Sequence, residues 1–187
     1  MVSTHAIYFL TTVGMLFTAL VGTAWYYYIR SRRTSGGSWE QILTRLTFVD
    51  RDSVARIALD LIDESGRRRR DDDSELLEPS QIWKLIDGLE GMEALERNCA
   101  VLIDLAFYVQ RWYPEALVVA EDLRLSAREI EWHVSRLRGA VQSGRPASSF
   151  TSYAQPAIAT YYLMTRRVLG LYERGNLPML VELQRAI

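Results

Sequence analysis

Catalysis and metal binding depend on imidazole, thiol, carboxylate and hydroxyl groups brought together in small clusters, and this chain offers few of the first two. His5 and His133 are the only histidines among its 187 residues, and Cys99 is the only cysteine. A zinc or di-iron centre takes several such ligands, or carboxylates, from facing elements. The two histidines stand on either side of the uncharged segment Ile7–Ile29 and are not expected to meet. His133 alone could act as a general base, yet the sequence sets no identifiable nucleophile beside it. No G-x-x-x-x-G-K-[ST] phosphate loop, no G-x-G-x-x-G after a strand and no nucleophile elbow occurs. The expectation is a protein that is not an enzyme, with no catalytic residue, no metal and no cofactor.

The remaining reactive groups read as structural. Cys99 sits in an apolar run and has no second cysteine to pair with, which fits packing in a reducing compartment. Asp104 shares a helical stripe with Arg97 and Arg111, seven residues to either side, and reads as part of a charge-paired face. Arg67–Arg70 would suggest a nucleic-acid or lipid patch by themselves. Asp71, Asp72 and Asp73 follow directly and cancel that field within a Debye length, ~8 Å. Over the whole chain 22 basic and 23 acidic residues nearly balance, so nucleic acid is not an expected partner.

The element that dominates the sequence is its first helix. Ile7–Ile29 carries no charge, and as a helix it reaches about 34 Å, enough for a hydrocarbon core of about 30 Å. Arg30, Arg32 and Arg33 follow it, whereas the preceding flank has no Lys or Arg. The positive-inside rule therefore predicts an extracytoplasmic segment 1–6, a transmembrane helix 7–29, a basic juxtamembrane linker 30–38 and a cytoplasmic domain 39–187. Trp25, Tyr26, Tyr27 and Tyr28 cluster at one end and Tyr8 and His5 near the other, where amphipathic rings settle at headgroup level. A cleaved signal peptide fits poorly, because the n-region lacks positive charge and the apolar stretch is too long. Gly14, Thr18 and Gly22 recur at every fourth residue and give a face on which another membrane helix, including that of a second copy, could pack.

Beyond the linker, apolar residues repeat with helical spacing and no stretch alternates like a strand, so the fold class is all-α, a multi-helix bundle. A short helix is expected at Trp39–Thr47, and a second capped by Asp50 or Asp52 with Val54, Ile57, Ala58 and Leu61 on one face. A third starts near Pro79 and Ser80, with a bend or turn at Gly88 and Gly91. Met92, Leu95, Cys99, Leu102, Ala106, Val109 and Tyr113 mark a central helix. Pro114 opens the next, and Ser126 with Glu129 makes a capping box that starts another, whose core face is Ile130, Val134, Leu137 and Val141. After a loop at Ser143–Ser152, Ile158, Tyr161, Thr165, Val168 and Tyr172 mark a further helix that ends at Gly175 and Asn176, and a short one starts from Pro178.

Val119–Leu137, VAEDLRLSAREIEWHVSRL, resembles the helix-turn-helix of LuxR-type regulators. Ala120 matches the helix crossing, Leu123 and Leu125 flank the turn, Ser126 caps, and Ile130, His133 and Val134 lie on the second helix. The resemblance implies a recognition helix from Ala127, with Arg128, Glu129, Trp132 and Ser135 near the bases. The sequence departs from that pattern at Arg124, where the turn favours Gly, and at Glu129 and Glu131, which oppose phosphate attraction.

The function expected from these features is that of a non-catalytic accessory subunit. The anchor would insert in the bilayer beside other membrane-protein subunits of a bacterial inner-membrane complex, and the helical domain would dock on its cytoplasmic face. A membrane-tethered regulator binding DNA through 119–137 is the alternative.

Overall fold

The computed structural model describes residues 4–33, 38–69, 77–145 and 151–187. Eight helices and no strand occur among them: α1 (Thr4–Arg33), α2 (Trp39–Leu43), α3 (Arg51–Leu61), α4 (Pro79–Leu85), α5 (Gly88–Val109), α6 (Ala116–Gln142), α7 (Thr151–Arg174) and α8 (Leu180–Ala186). The chain divides into two compact units, Met1–Gly37 and Ser38–Ile187.

The first unit is the helix α1. It runs beyond the expected Ile7–Ile29 at both ends and takes in Arg30, Ser31, Arg32 and Arg33, which the sequence had placed in the linker. Thr34–Gly37 of that linker lie outside the described residues.

The second unit is built around α5, α6 and α7. Met92, Leu95, Leu102, Ala106 and Val109 of α5 are fully buried, as the spacing predicts, and with Leu105 they meet Leu123, Ile130, Val134 and Leu137 of α6 and Ile158, Met164, Val168 and Tyr172 of α7. Tyr113 falls in the turn after α5 rather than on the helix. Cys99 is buried against this core and donates to Leu95 O at 3.1 Å. Burial, then the Glu96 carboxylate, pushes its thiol up to about 12, so it stays protonated and inert.

Local chemistry explains the helix ends. Ser38 and Gln41 form a reciprocal capping box that starts α2. That helix stops at Leu43 rather than Thr47 because Thr47 gives its backbone N–H and C=O to Asn98 instead of to a ladder. Asp50 caps α3 by accepting from Ser53 N at 3.2 Å. Pro79 takes the first turn of α4, as expected, and Glu78 precedes it. Between α4 and α5 the chain turns through two left-handed residues, Asp87 (φ 59°) and Gly88 (φ 66°). Gly91 is required by crowding: a Cβ there would lie 1.6 Å from Ile86 O.

Two expectations fail in α6. Ser126 and Glu129 do not start a helix, because Ala116–Gln142 is one uninterrupted helix with Ser126 in its middle. The buried row Ala116, Ala120, Leu123, Ile130, Val134 and Leu137 continues through that point in a single register, and burying it outweighs a local cap. Val141 is 38% exposed rather than core, and Ala140 takes the buried place.

Candidate functional site

Three features of the described residues could carry function: the apolar surface of α1, a polar cleft in the domain, and the outer side of α6.

On α1, none of Tyr8–Trp25 is buried, and that window is long and apolar enough to cross a membrane by length and composition. Its hydroxyls are satisfied within the helix. Thr11 and Thr12 donate to Tyr8 O at 2.9 Å, Thr18 to Gly14 O at 2.8 Å and Thr23 to Ala19 O at 2.7 Å. Threonines bonded in this way keep no free hydrogen for water. The expected packing residues Gly14, Thr18 and Gly22 sit on this helix, and a Cβ at either glycine would meet open space. Of the expected interface anchors, Trp25 is 63% exposed. Tyr26, Tyr27, Tyr28, Arg30, Arg32 and Arg33 continue the helix, and their side chains lie outside the described set.

In the domain, a cleft of about 390 Å³ opens between α3, α5, α7 and α8. Thr47, Arg51, Asn98, Tyr161, Arg166 and Glu173 are among its lining residues. Their polar groups are largely spent on holding the fold. Asn98 Oδ1 accepts from Thr47 N at 2.8 Å, while its Nδ2 donates to Thr47 O at 2.8 Å and to Tyr161 Oη at 3.3 Å. Arg51 donates to Gln184 O at 2.9 Å, fastening α8, and Arg166 donates to Glu64 O at 2.7 Å, fastening the turn after α3. Burial raises the Tyr161 phenol to about 12, so it is neutral and a poor proton acceptor at ordinary pH. None of the polar contacts here joins a nucleophile to a general base.

A second buried network lies outside the cleft. Asp60 Oδ2 accepts from Gln155 Nε2 at 2.8 Å and from Leu77 N at 3.1 Å, which ties α3 to α7 and to the start of α4. Trp39 Nε1 donates to Tyr172 Oη at 3.2 Å, and that hydroxyl donates to Leu105 O at 3.1 Å, so the domain's first helix is pinned to its centre. Both networks escaped the sequence reading. Asn98 was legible only as one polar residue beside Cys99, and Asp60 as a carboxylate three places after Ile57.

The candidate reactive residues are scattered. Asp104 pairs with Arg45 at 2.7 Å, because α2 and its following turn lie against α5. His133 is mostly buried, edge-on to Trp132 with ring centroids 4.9 Å apart, and its Nδ1 has no hydrogen-bond partner among the described residues. Burial lowers its pKa, and Glu129, 4.0 Å away, opposes this in part. Among the described residues no three His, Cys, Asp or Glu gather as metal ligands. Arg67–Arg69 lie in the turn after α3, and Arg70–Glu75 fall outside the described residues.

The helix-turn-helix geometry is not formed. Arg124, at the position of the expected turn, is helical, ion-paired with Glu121 and stacked over Phe107 at 4.5 Å. A helix starting at Ala127 that could enter a groove independently therefore does not exist in this fold. Comparison with known protein families, with curated proteins and with solved structures finds no match for this chain.

Proposed function

We propose that this protein is a single-pass, non-catalytic accessory component of a bacterial inner-membrane complex. In this reading α1 crosses the bilayer, the N-terminus faces outward, and residues 38–187 form a cytoplasmic docking domain. The observation that carries the reading is the apolar window Tyr8–Trp25, none of which is buried. Leaving such a surface in water is costly at roughly 25 cal/mol per Å², and lipid or a partner helix removes the cost. In this reading Arg30, Arg32 and Arg33 after the window mark its cytoplasmic side. A docking role is favoured in that Asn98 and Tyr161, Asp60 and Gln155, and Trp39 and Tyr172 spend their buried polar groups on one another. Gly14, Thr18 and Gly22 supply the face on which a partner membrane helix, or that of a second copy, would pack.

The test is purification from native membranes in mild detergent, with the native mass and the co-migrating proteins identified. A stoichiometric complex resistant to alkaline carbonate extraction is expected. Release of the chain by carbonate would refute the anchor, and a membrane-bound but solitary chain would refute the accessory role. Leucine at Gly14, Thr18 and Gly22 together should detach the chain from its complex without lowering the melting temperature of the domain, as followed by circular dichroism. Unchanged co-purification would refute the packing face.

A further inference from the structure

An open cavity of about 530 Å³ lies along the last turns of α6 and the start of α7. Trp132, Ser135, Arg136 and Gly139 of α6, Arg145 just beyond it and Tyr153 of α7 are among its lining residues. The rings hold one another in place. Trp132 stands edge-on to His133 at 4.9 Å and to Tyr153 at 5.9 Å, and the Arg136 guanidinium lies over the Trp132 ring at 5.3 Å. A wall fixed in this way loses little freedom when a ligand arrives. Gly139 adds no side chain to the floor, and a Cβ there would meet open space.

The positive charge of this cavity is uncompensated. No carboxylate lines it, and the sequence holds no Asp or Glu between Glu131 and Glu173. Among the described residues neither Arg136 nor Arg145 makes an ion pair, whereas Arg138 is taken up by Glu93 and Glu96 of α5. Arg145 is not needed to finish α6 either. Gly144 (φ 65°) turns the chain back, its N–H donates to Val141 O and the Arg145 N–H donates to Ala140 O, both at 3.1 Å. Gly139 O accepts from Ser143 N at 3.1 Å and from Ser143 Oγ at 2.7 Å. The carbonyls of Gly139, Ala140 and Val141 are thus satisfied without the Arg145 side chain, and its guanidinium is left over.

We propose that this cavity binds a phosphate monoester, with the phosphate between Arg136 and Arg145 and the rest of the ligand against Trp132 and Tyr153. Two guanidinium forks supply donors only, so they suit a group made only of acceptors. A phosphate monoester carries about −1.5 to −2 charge near pH 7 and three acceptor oxygens, which matches two cations, whereas a carboxylate fills one fork. The contact of Arg136 with Trp132 uses the face of the guanidinium and leaves its N–H edge to donate. The Ser135 hydroxyl, which bonds no other described residue, adds a further donor. A phosphatidic acid head group and a soluble phosphate ester share this chemistry. The site goes beyond the accessory role, and it stands or falls independently of whether α1 crosses a membrane.

The test is calorimetric titration of the full chain in an uncharged detergent. Phenyl phosphate is the soluble probe and dihexanoyl phosphatidic acid the lipid probe, with benzyl alcohol and dihexanoyl phosphatidylcholine as their controls. One of the two phosphate monoesters should bind at one per chain, at least about 10-fold tighter than its control, and added salt should weaken it. Preference for phosphatidic acid would assign the site to a lipid head group and preference for phenyl phosphate to a soluble ester, and either supports the proposal. Arg136→Gln and Arg145→Gln should each weaken binding at least about 10-fold, the loss expected for a charge-assisted hydrogen bond. Both side chains are exposed, so the melting temperature should not change. Arg167→Gln removes the same charge from an exposed position of α7 outside the cavity and should leave binding intact. Failure of both probes to bind better than their controls would overturn the proposal, as would Arg136→Gln and Arg145→Gln chains that bind as well as Arg167→Gln.

Discussion

Replacing Asn98 by alanine removes three hydrogen bonds at one place. The side chain is 2% exposed and holds Thr47 by both its N–H and its C=O, at 2.8 Å each, and the Tyr161 hydroxyl at 3.3 Å. A hydrogen bond of this kind contributes about 1 kcal/mol net. Thr47 is exposed, so water can replace its two contacts in part, whereas Tyr161 is 5% exposed and its hydroxyl would lose a partner in a buried place. Together these effects give about 3 kcal/mol, a factor of ~150 in the folding equilibrium. For a chain of this size that corresponds to a fall in melting temperature of roughly 6–12 °C. The assay is thermal and urea unfolding of the full chain in detergent, followed by circular dichroism at 222 nm. Tyr161→Phe, which removes only the longest of the three contacts, should cost about 1 kcal/mol. The double variant should cost less than the two singles added, because they share a bond. A loss below about 0.5 kcal/mol for Asn98→Ala would show that water replaces the whole network, and would refute the reasoning.

Gly91→Ala should be more damaging than its size suggests. The new Cβ would lie 1.6 Å from a backbone oxygen, which no side-chain rotation relieves, so a loss of about 3 kcal/mol is expected in urea unfolding. His133 gives a pH dependence of definite sign. Its folded pKa is depressed, chiefly by burial, so the unfolded chain takes up the proton first as pH falls. The contribution is fully present above the unfolded value, near 6.5, and is lost as pH drops below it toward the folded value. The melting temperature should therefore fall between pH 7.5 and pH 5.5, and His133→Leu should flatten that slope; an unchanged slope would assign the loss to other groups. At the alkaline end, burial raises the Tyr161 phenol to about 12, so the stability it contributes falls as pH climbs from 10 toward 12, and Tyr161→Phe should lessen that loss in alkaline unfolding curves.

Much of the fold was legible along the chain because it depends on local periodicity. The uncharged run over Ile7–Ile29 becomes one helix, and Asp50 caps where a helix was expected to begin. The apolar spacing over Met92–Val109 and over Ile158–Tyr172 becomes the buried faces of α5 and α7. Each of these patterns is set by residues within a few turns of one another, and nothing distant contradicts them. The break at Gly88 was legible for the same reason, since a left-handed glycine leaves a local mark, whereas Gly91, expected to share that turn, lies inside α5.

What the sequence could not decide was which signal wins when two compete, and which polar groups meet across the core. Ser126 and Glu129 have the form of a helix start, worth about 1 kcal/mol, but the buried row from Ala116 to Leu137 keeps one register only if the helix runs straight through. That continuity removed the turn of the helix-turn-helix and left Val118, Leu125 and Trp132 as one outward line. Asp104 found Arg45, a partner that no local spacing foretold, because a turn 59 residues away in the chain packs there. Asn98 with Thr47 and Tyr161, Asp60 with Gln155, and Trp39 with Tyr172 are likewise pairings between residues 51 to 133 positions apart. Periodicity tells which side of a helix is buried, but only the packed core tells which buried donor stands opposite which acceptor, because that depends on the register between helices that local sequence does not encode.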